Sequence, residues 1–154
     1  MLGVLQNGKR VRTHGSTDSH GPVSNKGLTA VYAPEHFSTD IMRAVRAGNC
    51  AAGSVGIQMA IDDTPMGSDV DFAEGKLLRI RTDRFHEAHW QADTVYCLKV
   101  YTDRGLAYAR EFAGEPQSLA LKVENLGFYR VEITNESDNA LVALSNPIWL
   151  NTVN

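Results

Sequence analysis

From residue 53 onward, apolar and polar positions alternate with the two-residue period of half-buried strands. Val55, Ile57, Met59 and Ile61 share one face of a first candidate strand, because side chains at i and i+2 point the same way. Leu78 and Ile80 alternate with Arg79 and Arg81 in a second. Residues 95–101 form a third, and Thr102-Asp103-Arg104-Gly105 is a hairpin signal leading into residues 106–112. Leu119, Leu121 and Val123 alternate with Ala120, Lys122 and Glu124. Residues 128–134 and 140–144 follow, joined by the polar stretch Asn135-Glu136-Ser137-Asp138-Asn139. About seven short strands with polar turns predict an antiparallel, Ig-like β-sandwich over residues 53–154.

Residues 1–52 follow another pattern. Met1–Asn7 has the character of a helix end, with Gly8 as its C-terminal cap. Arg10–His14 is a candidate strand, and residues 21–37 a loop holding one apolar run, Leu28–Tyr32. Ser38 is the expected N-cap of a helix with Asp40 in its first turn, an apolar stripe of Ile41, Met42 and Val45, and Gly48 at its end. Strand, loop and helix in that order are how α/β barrels build sites at strand ends, although one such unit cannot close a barrel. The expectation is therefore an α+β chain: a barrel-like strand-loop-helix over residues 1–52 and a sandwich over 53–154.

The candidate chemistry lies in Gly15-Ser16-Thr17-Asp18-Ser19-His20-Gly21. If the preceding strand continues, Asp18 and His20 reach the same side of the chain. Carboxylate oxygens can bridge two cations, and neutral imidazole suits zinc, manganese or iron. A catalytic zinc usually takes three protein ligands and an open position, so this pair supplies part of a site. His14 and Ser19 are candidates for hydrogen-bonding the ligands from behind. The plainer roles are a turn carboxylate for Asp18, a surface histidine for His20 and simple packing for His14.

Other residues carry less. His86 and His89 stand three apart between two candidate strands, whereas the H-E-x-x-H zinc signature needs a spacing of four on a helix. Ser16 and Ser19 lack an evident base to activate a nucleophile. Arg12, Lys26 and Arg43 could face a phosphate, and solvation explains them equally well. Cys50 and Cys97 fit small buried hydrophobes better than redox or ligand roles. Trp149 is expected to pack the last strand against the sandwich or barrel edge, with stacking on a sugar as the less common role.

Three segments resemble the C-terminal portion of the polymerase-and-histidinol-phosphatase (PHP) family of metal-dependent phosphoesterases, and more closely its carbaryl-hydrolase-like subgroup. They are Leu5-Gln6-Asn7-Gly8-Lys9-Arg10-Val11 leading into Gly15–His20, the helix segment Ser38–Asn49, and the tail Ser145-Asn146-Pro147-Ile148-Trp149-Leu150-Asn151. The resemblance implies that Asp18 and His20 are metal ligands in a parent hydrolase that uses metal-activated water on a phosphoester or related ester. Such proteins begin with a His-x-His strand and further His and Glu ligands that this sequence does not contain. The implied partner is thus the missing N-terminal portion of the same protein, with zinc, manganese or iron in the parent and weak or absent metal in this chain alone. An orphaned strand and helix also imply a homodimer or a swapped oligomer. The alternative is a non-catalytic β-sandwich module that binds a partner or carbohydrate, or serves assembly.

Composition narrows the classes. The 154 residues are 43% hydrophobic and 21% charged, as expected of a globular protein. A net charge of −3 argues against a nucleic-acid surface, which is normally basic. No apolar run approaches the ~20 residues that span a bilayer. No signal peptide is visible, so a cytoplasmic location is expected.

Overall fold

The computed structural model describes residues 10–15, 27–83 and 94–151. In chain order the elements are β1 (Thr29–Val31), α1 (Ser38–Ala47), β2 (Cys50–Gly53), β3 (Ile57–Ile61), β4 (Thr64–Pro65), β5 (Asp69–Asp71) and β6 (Leu77–Thr82). Then come β7 (Tyr96–Thr102), β8 (Gly105–Phe112), β9 (Ser118–Lys122), β10 (Phe128–Asn135), β11 (Leu141–Ser145) and β12 (Ile148–Asn151). The protein is mostly β, with α1 the one helix among the described residues.

Two sheets enclose a shared apolar core, an arrangement compatible with a β-sandwich. The larger runs β1-β2-β11-β10, continues on the other side of β10 through β7 to β8, and carries β12 and β5 beside the start of β10. The smaller runs β4-β3-β6-β9. All pairings are antiparallel except β12 with β5, where Leu150 lies opposite Val70. The alternation seen in the sequence is what fills the core. Val55, Ile57, Met59 and Ile61 are buried, as are Leu78 and Ile80, whereas Arg79 and Arg81 point outward. Leu98, Val100, Val131 and Ile133 close the core from the larger sheet. The expected hairpin forms, with Thr102 opposite Gly105.

β10 departs from simple alternation because both of its faces are covered. Tyr129, Val131 and Ile133 face the core, and Phe128, Arg130 and Thr134 on the other side are also buried. There Phe128 lies opposite Trp149 of β12, and the two form a small second apolar cluster. Trp149 thus packs the last strand, as its position in the tail suggests.

The larger sheet crosses residue 52. β1 and β2 belong to it, and β2 pairs directly with β11, with Ala52 opposite Leu144. Two sequence expectations are corrected in this region. The N-cap of α1 is Phe37, with extended φ −75° and ψ 145° and no side-chain cap bond, so Ser38 is the first helical residue. Phe37 takes the position because its own carbonyl accepts the first turn's bonds, from the N–H groups of Asp40 and Ile41. Arg10–His14 joins no sheet; side chains, described below, hold its backbone in place of a strand ladder. The end of α1 is as expected. Gly48 sits at φ 81°, and the N–H groups of Gly48 and Asn49 return to the carbonyls of Val45 and Ala44, a Schellman closure. Met1–Asn7 lies outside the described residues.

Candidate functional site

Asp18, Ser19 and His20 lie outside the described residues, as do Ser16, Lys26, His86 and His89. The structure does describe both ends of the motif loop. At its start, the Gly15 N–H donates to Thr29 Oγ1 at 2.9 Å, and the Thr29 hydroxyl donates back to the Gly15 carbonyl at 3.0 Å. A Cβ on Gly15 would collide with the carbonyl oxygens of Leu28 and Gly27. The residues that bracket the loop, Gly15 and Gly27, are therefore in direct backbone contact, and only a glycine fits at the first of them.

One step earlier, Asn146 is fully buried and binds Thr13 through both ends of its amide. Its Oδ1 accepts the Thr13 N–H at 2.6 Å, and its Nδ2 donates to the Thr13 carbonyl at 2.9 Å. The same Nδ2 lies 2.9 Å from the Cys50 carbonyl and 3.3 Å from the Cys50 sulfur. Asn146 thus fastens the segment ahead of the motif to β2. Burial pushes the Cys50 thiol up from its ordinary pKa, and the hydrogen bond from Asn146 partly offsets this. Both cysteines are free and buried, in keeping with a packing role.

Arg12 also serves this platform. Its Nε donates to the Ala47 carbonyl at 3.1 Å and its Nη2 to the Gly67 carbonyl at 3.3 Å. A cation at the C-terminal end of α1 satisfies a carbonyl that the helix leaves open and suits the helix dipole. Arg43 is engaged as well, with Asp40 at 3.0 Å on the exposed face of α1. His14 is exposed. Among the described residues no group of three or more His, Cys, Asp or Glu side chains could hold a metal ion. One carboxylate and one imidazole suit zinc or manganese chemically, yet fall short of a complete ligand set.

A second feature was not evident from sequence. A cleft of about 400 Å3 opens on the outer face of the smaller sheet, lined by Tyr32, Asn49, Gln58, Arg79, Arg81 and Asp62 among others. Gln58 lies opposite Arg81, and Ala60 opposite Arg79. Nearby, the Tyr32 hydroxyl donates to Asp83 Oδ2 at 3.1 Å. Burial, and then the Asp83 charge, push the Tyr32 phenol well above the ordinary tyrosine range. Gly56 permits this pair, since a Cβ there would collide with both partners. The alternation of Arg79 and Arg81 announced an outward face; the clue to a cleft was the distant Tyr32 and Asn49, which periodicity alone does not place.

The chain matches no protein-family profile, no curated protein and no solved structure. No helix among the described residues is long and apolar enough to cross a membrane.

Proposed function

We propose that this chain is the C-terminal portion of a PHP-type metal-dependent phosphoesterase. On this reading residues 1–52 come from the end of the parent's barrel and residues 53–154 from an appended Ig-like sandwich, with Arg10–His14 outside any ladder and β2 joined to β11 in this chain. Asp18 and His20 contribute ligands for zinc, manganese or iron, and the remaining ligands come from the upstream portion. Bound metal supplies an activated water and charge stabilisation for the leaving oxygen of a phosphoester. His14 and Ser19 stand beside the ligands in sequence and are the candidates to orient them.

The observation that carries the reading is the contact of Thr13, just ahead of the motif, with Asn146 of the Ser-Asn-Pro-Ile-Trp tail. Two of the three segments that resemble the family meet there, and Arg12 ties the third by bonding to the end of α1. Three separately recognised pieces of sequence thus meet in one contact network at Arg12 and Thr13, ahead of the motif. Locking both ends of the loop also suits a metal motif, because a ligand pair works only when its backbone is held.

The test is the coding sequence upstream of Met1, expected to hold an in-frame His-x-His strand. In the longer protein Asp18→Asn and His20→Ala should each abolish stoichiometric metal by elemental analysis and phosphoesterase turnover. An upstream stop codon, or unchanged metal in both variants, sinks the proposal. The 154-residue chain alone should show no turnover and no tight zinc or manganese.

A second reading has its own support. The cleft sets Arg79 and Arg81 beside Asp62 and Asp63, which fits a binding module for a polar ligand such as a carbohydrate, independent of any metal. Saturable binding of a neutral saccharide, lost in Arg79→Ala and Arg81→Ala, would favour it.

A further inference from the structure

We infer that Asp69, Trp149, the end of α1 and Asn146 form a recognition site for an extended basic peptide of the form Arg-x-Arg-x-x-Gly, which residues 10–15 fill in cis. Arg10–Gly15 enters no sheet ladder among the described residues, and none of its residues belongs to the apolar core. Each hydrogen bond described for it has a side chain on at least one end. The segment is therefore seated on a finished fold, as a bound peptide is, and each contact reads a different feature of it.

Arg10 is read twice. Its guanidinium forks onto Asp69 of β5, with Nη1 2.7 Å from Oδ2 and Nη2 2.6 Å from Oδ1, and its central carbon lies 5.6 Å from the Trp149 ring centre. A planar cation suits a carboxylate edge and an aromatic face in a way that lysine does not. Arg12 lies over Gly48, where a Cβ would come within 2.9 Å of Arg12 Cδ and push it away. The Ala47 and Gly67 carbonyls then accept from its Nε and Nη2.

Position 13 is read through its backbone, which the buried Asn146 grips at both the N–H and the carbonyl. Val11 and His14 are exposed, so positions 11 and 14 admit other residues. Position 15 does not. A Cβ there would stand 2.2 Å from the Leu28 carbonyl oxygen, and the Thr29 hydroxyl holds the Gly15 N–H and carbonyl. The occupant is thus specified by an acidic and aromatic grip on one arginine, two carbonyls on the next, and a glycine three residues on. A protein partner displaying that pattern would compete with the cis segment, whether or not Asp18 and His20 hold metal.

The experiment uses the whole chain with a protease recognition sequence between Ser24 and Asn25 and a dye at its N-terminus, folded and then cut. Polarisation of the dye should stay high after the cut, because the segment remains seated, and native circular dichroism should persist. Excess synthetic peptide of residues 8–16 should then lower the polarisation. Peptides with Arg12→Ala and Arg10→Ala should need about fivefold and about threefold higher concentrations, the second less because its ion pair is exposed. The Gly15→Ala peptide should compete least. On an Asp69→Arg chain, the Arg10→Glu peptide should outcompete the original. A labelled piece that leaves at once, one that excess peptide cannot displace, or substituted peptides that compete as well as the original each overturn the proposal. So does loss of native circular dichroism on cutting, since the site would then not outlast its covalent segment.

Discussion

Asn146 replaces a missing strand partner for Thr13. Its side-chain amide accepts the Thr13 N–H at 2.6 Å and donates to the Thr13 carbonyl at 2.9 Å. A backbone segment outside any sheet must still satisfy its polar groups, and here one buried side chain from near the other end of the chain does so. The arrangement makes the position of the segment ahead of the motif depend on the C-terminal tail.

That dependence is measurable. Asn146→Ala would leave the Thr13 N–H, the Thr13 carbonyl and the Cys50 carbonyl without this partner, at a cost of about 2–4 kcal/mol in urea unfolding. Asn146→Asp should be no better, since it removes the donor and buries a charge. A loss below about 0.5 kcal/mol would mean that water enters and replaces the amide.

The tail shows how far the sequence was legible. Ser145-Asn146-Pro147-Ile148 stood out by resemblance, yet nothing local says that Asn146 turns toward Thr13. A contact between two segments so far apart has no periodic signature. Strands β3, β6, β7 and β10 were legible because each presents an apolar face to one core. β2 was not, because Cys50-Ala51-Ala52-Gly53 is small throughout and follows a helix end. β4 and β5 are too short to show a period, and the parallel pairing of β5 with β12 is purely tertiary. The proposed ligand pair, Asp18 and His20, was recognisable only as a motif, and those residues lie outside the described part of the structure.

Two glycines of positive φ separate conformational strain from collision. Gly75 has φ 86°, and no atom lies within 4 Å of where a Cβ would stand, so Gly75→Ala should cost about 1–2 kcal/mol from backbone conformation alone. Gly53 has φ 127°, and a Cβ there would strike the Val142 carbonyl and lie 2.5 Å from the Ala143 Cα in the adjoining strand. Gly53→Ala should therefore cost clearly more and could prevent folding. Equal shifts in melting temperature would show that β11 yields easily at this point.

On the side of β10 away from the core, a buried Arg130 pairs with a half-buried Glu132. Arg130 Nη2 lies 2.6 Å from Glu132 Oε1, and the guanidinium carbon sits 5.4 Å from the Tyr101 ring centre. Arg130 Nε is buried without a hydrogen-bond partner. Removing Glu132 alone as Glu132→Leu should cost about 3–5 kcal/mol, because the charge of Arg130 is then uncompensated. The double variant Arg130→Met with Glu132→Leu should recover most of that loss. A double-mutant cycle that is additive would show that the two side chains act independently.

Tyr32 makes a prediction about alkaline stability. Its hydroxyl donates to Asp83 at 3.1 Å, and burial together with the neighbouring carboxylate raises its pKa above the unfolded value of about 10. Below that pH both folded and unfolded forms keep the proton, so the contribution is constant. Above it the unfolded chain releases the proton first, the folded state then binds more protons, and stability falls as pH rises. Burial raises Tyr129 in the same direction, so the parent chain should lose stability from both phenols. Tyr32→Phe removes one of them. Its urea midpoint should start lower at neutral pH, because the bond to Asp83 is gone, and then fall less steeply above about pH 10. Parallel curves for parent and variant across the alkaline range would show that the phenol of Tyr32 titrates as it does in water, and that its pairing with Asp83 leaves no mark on folding.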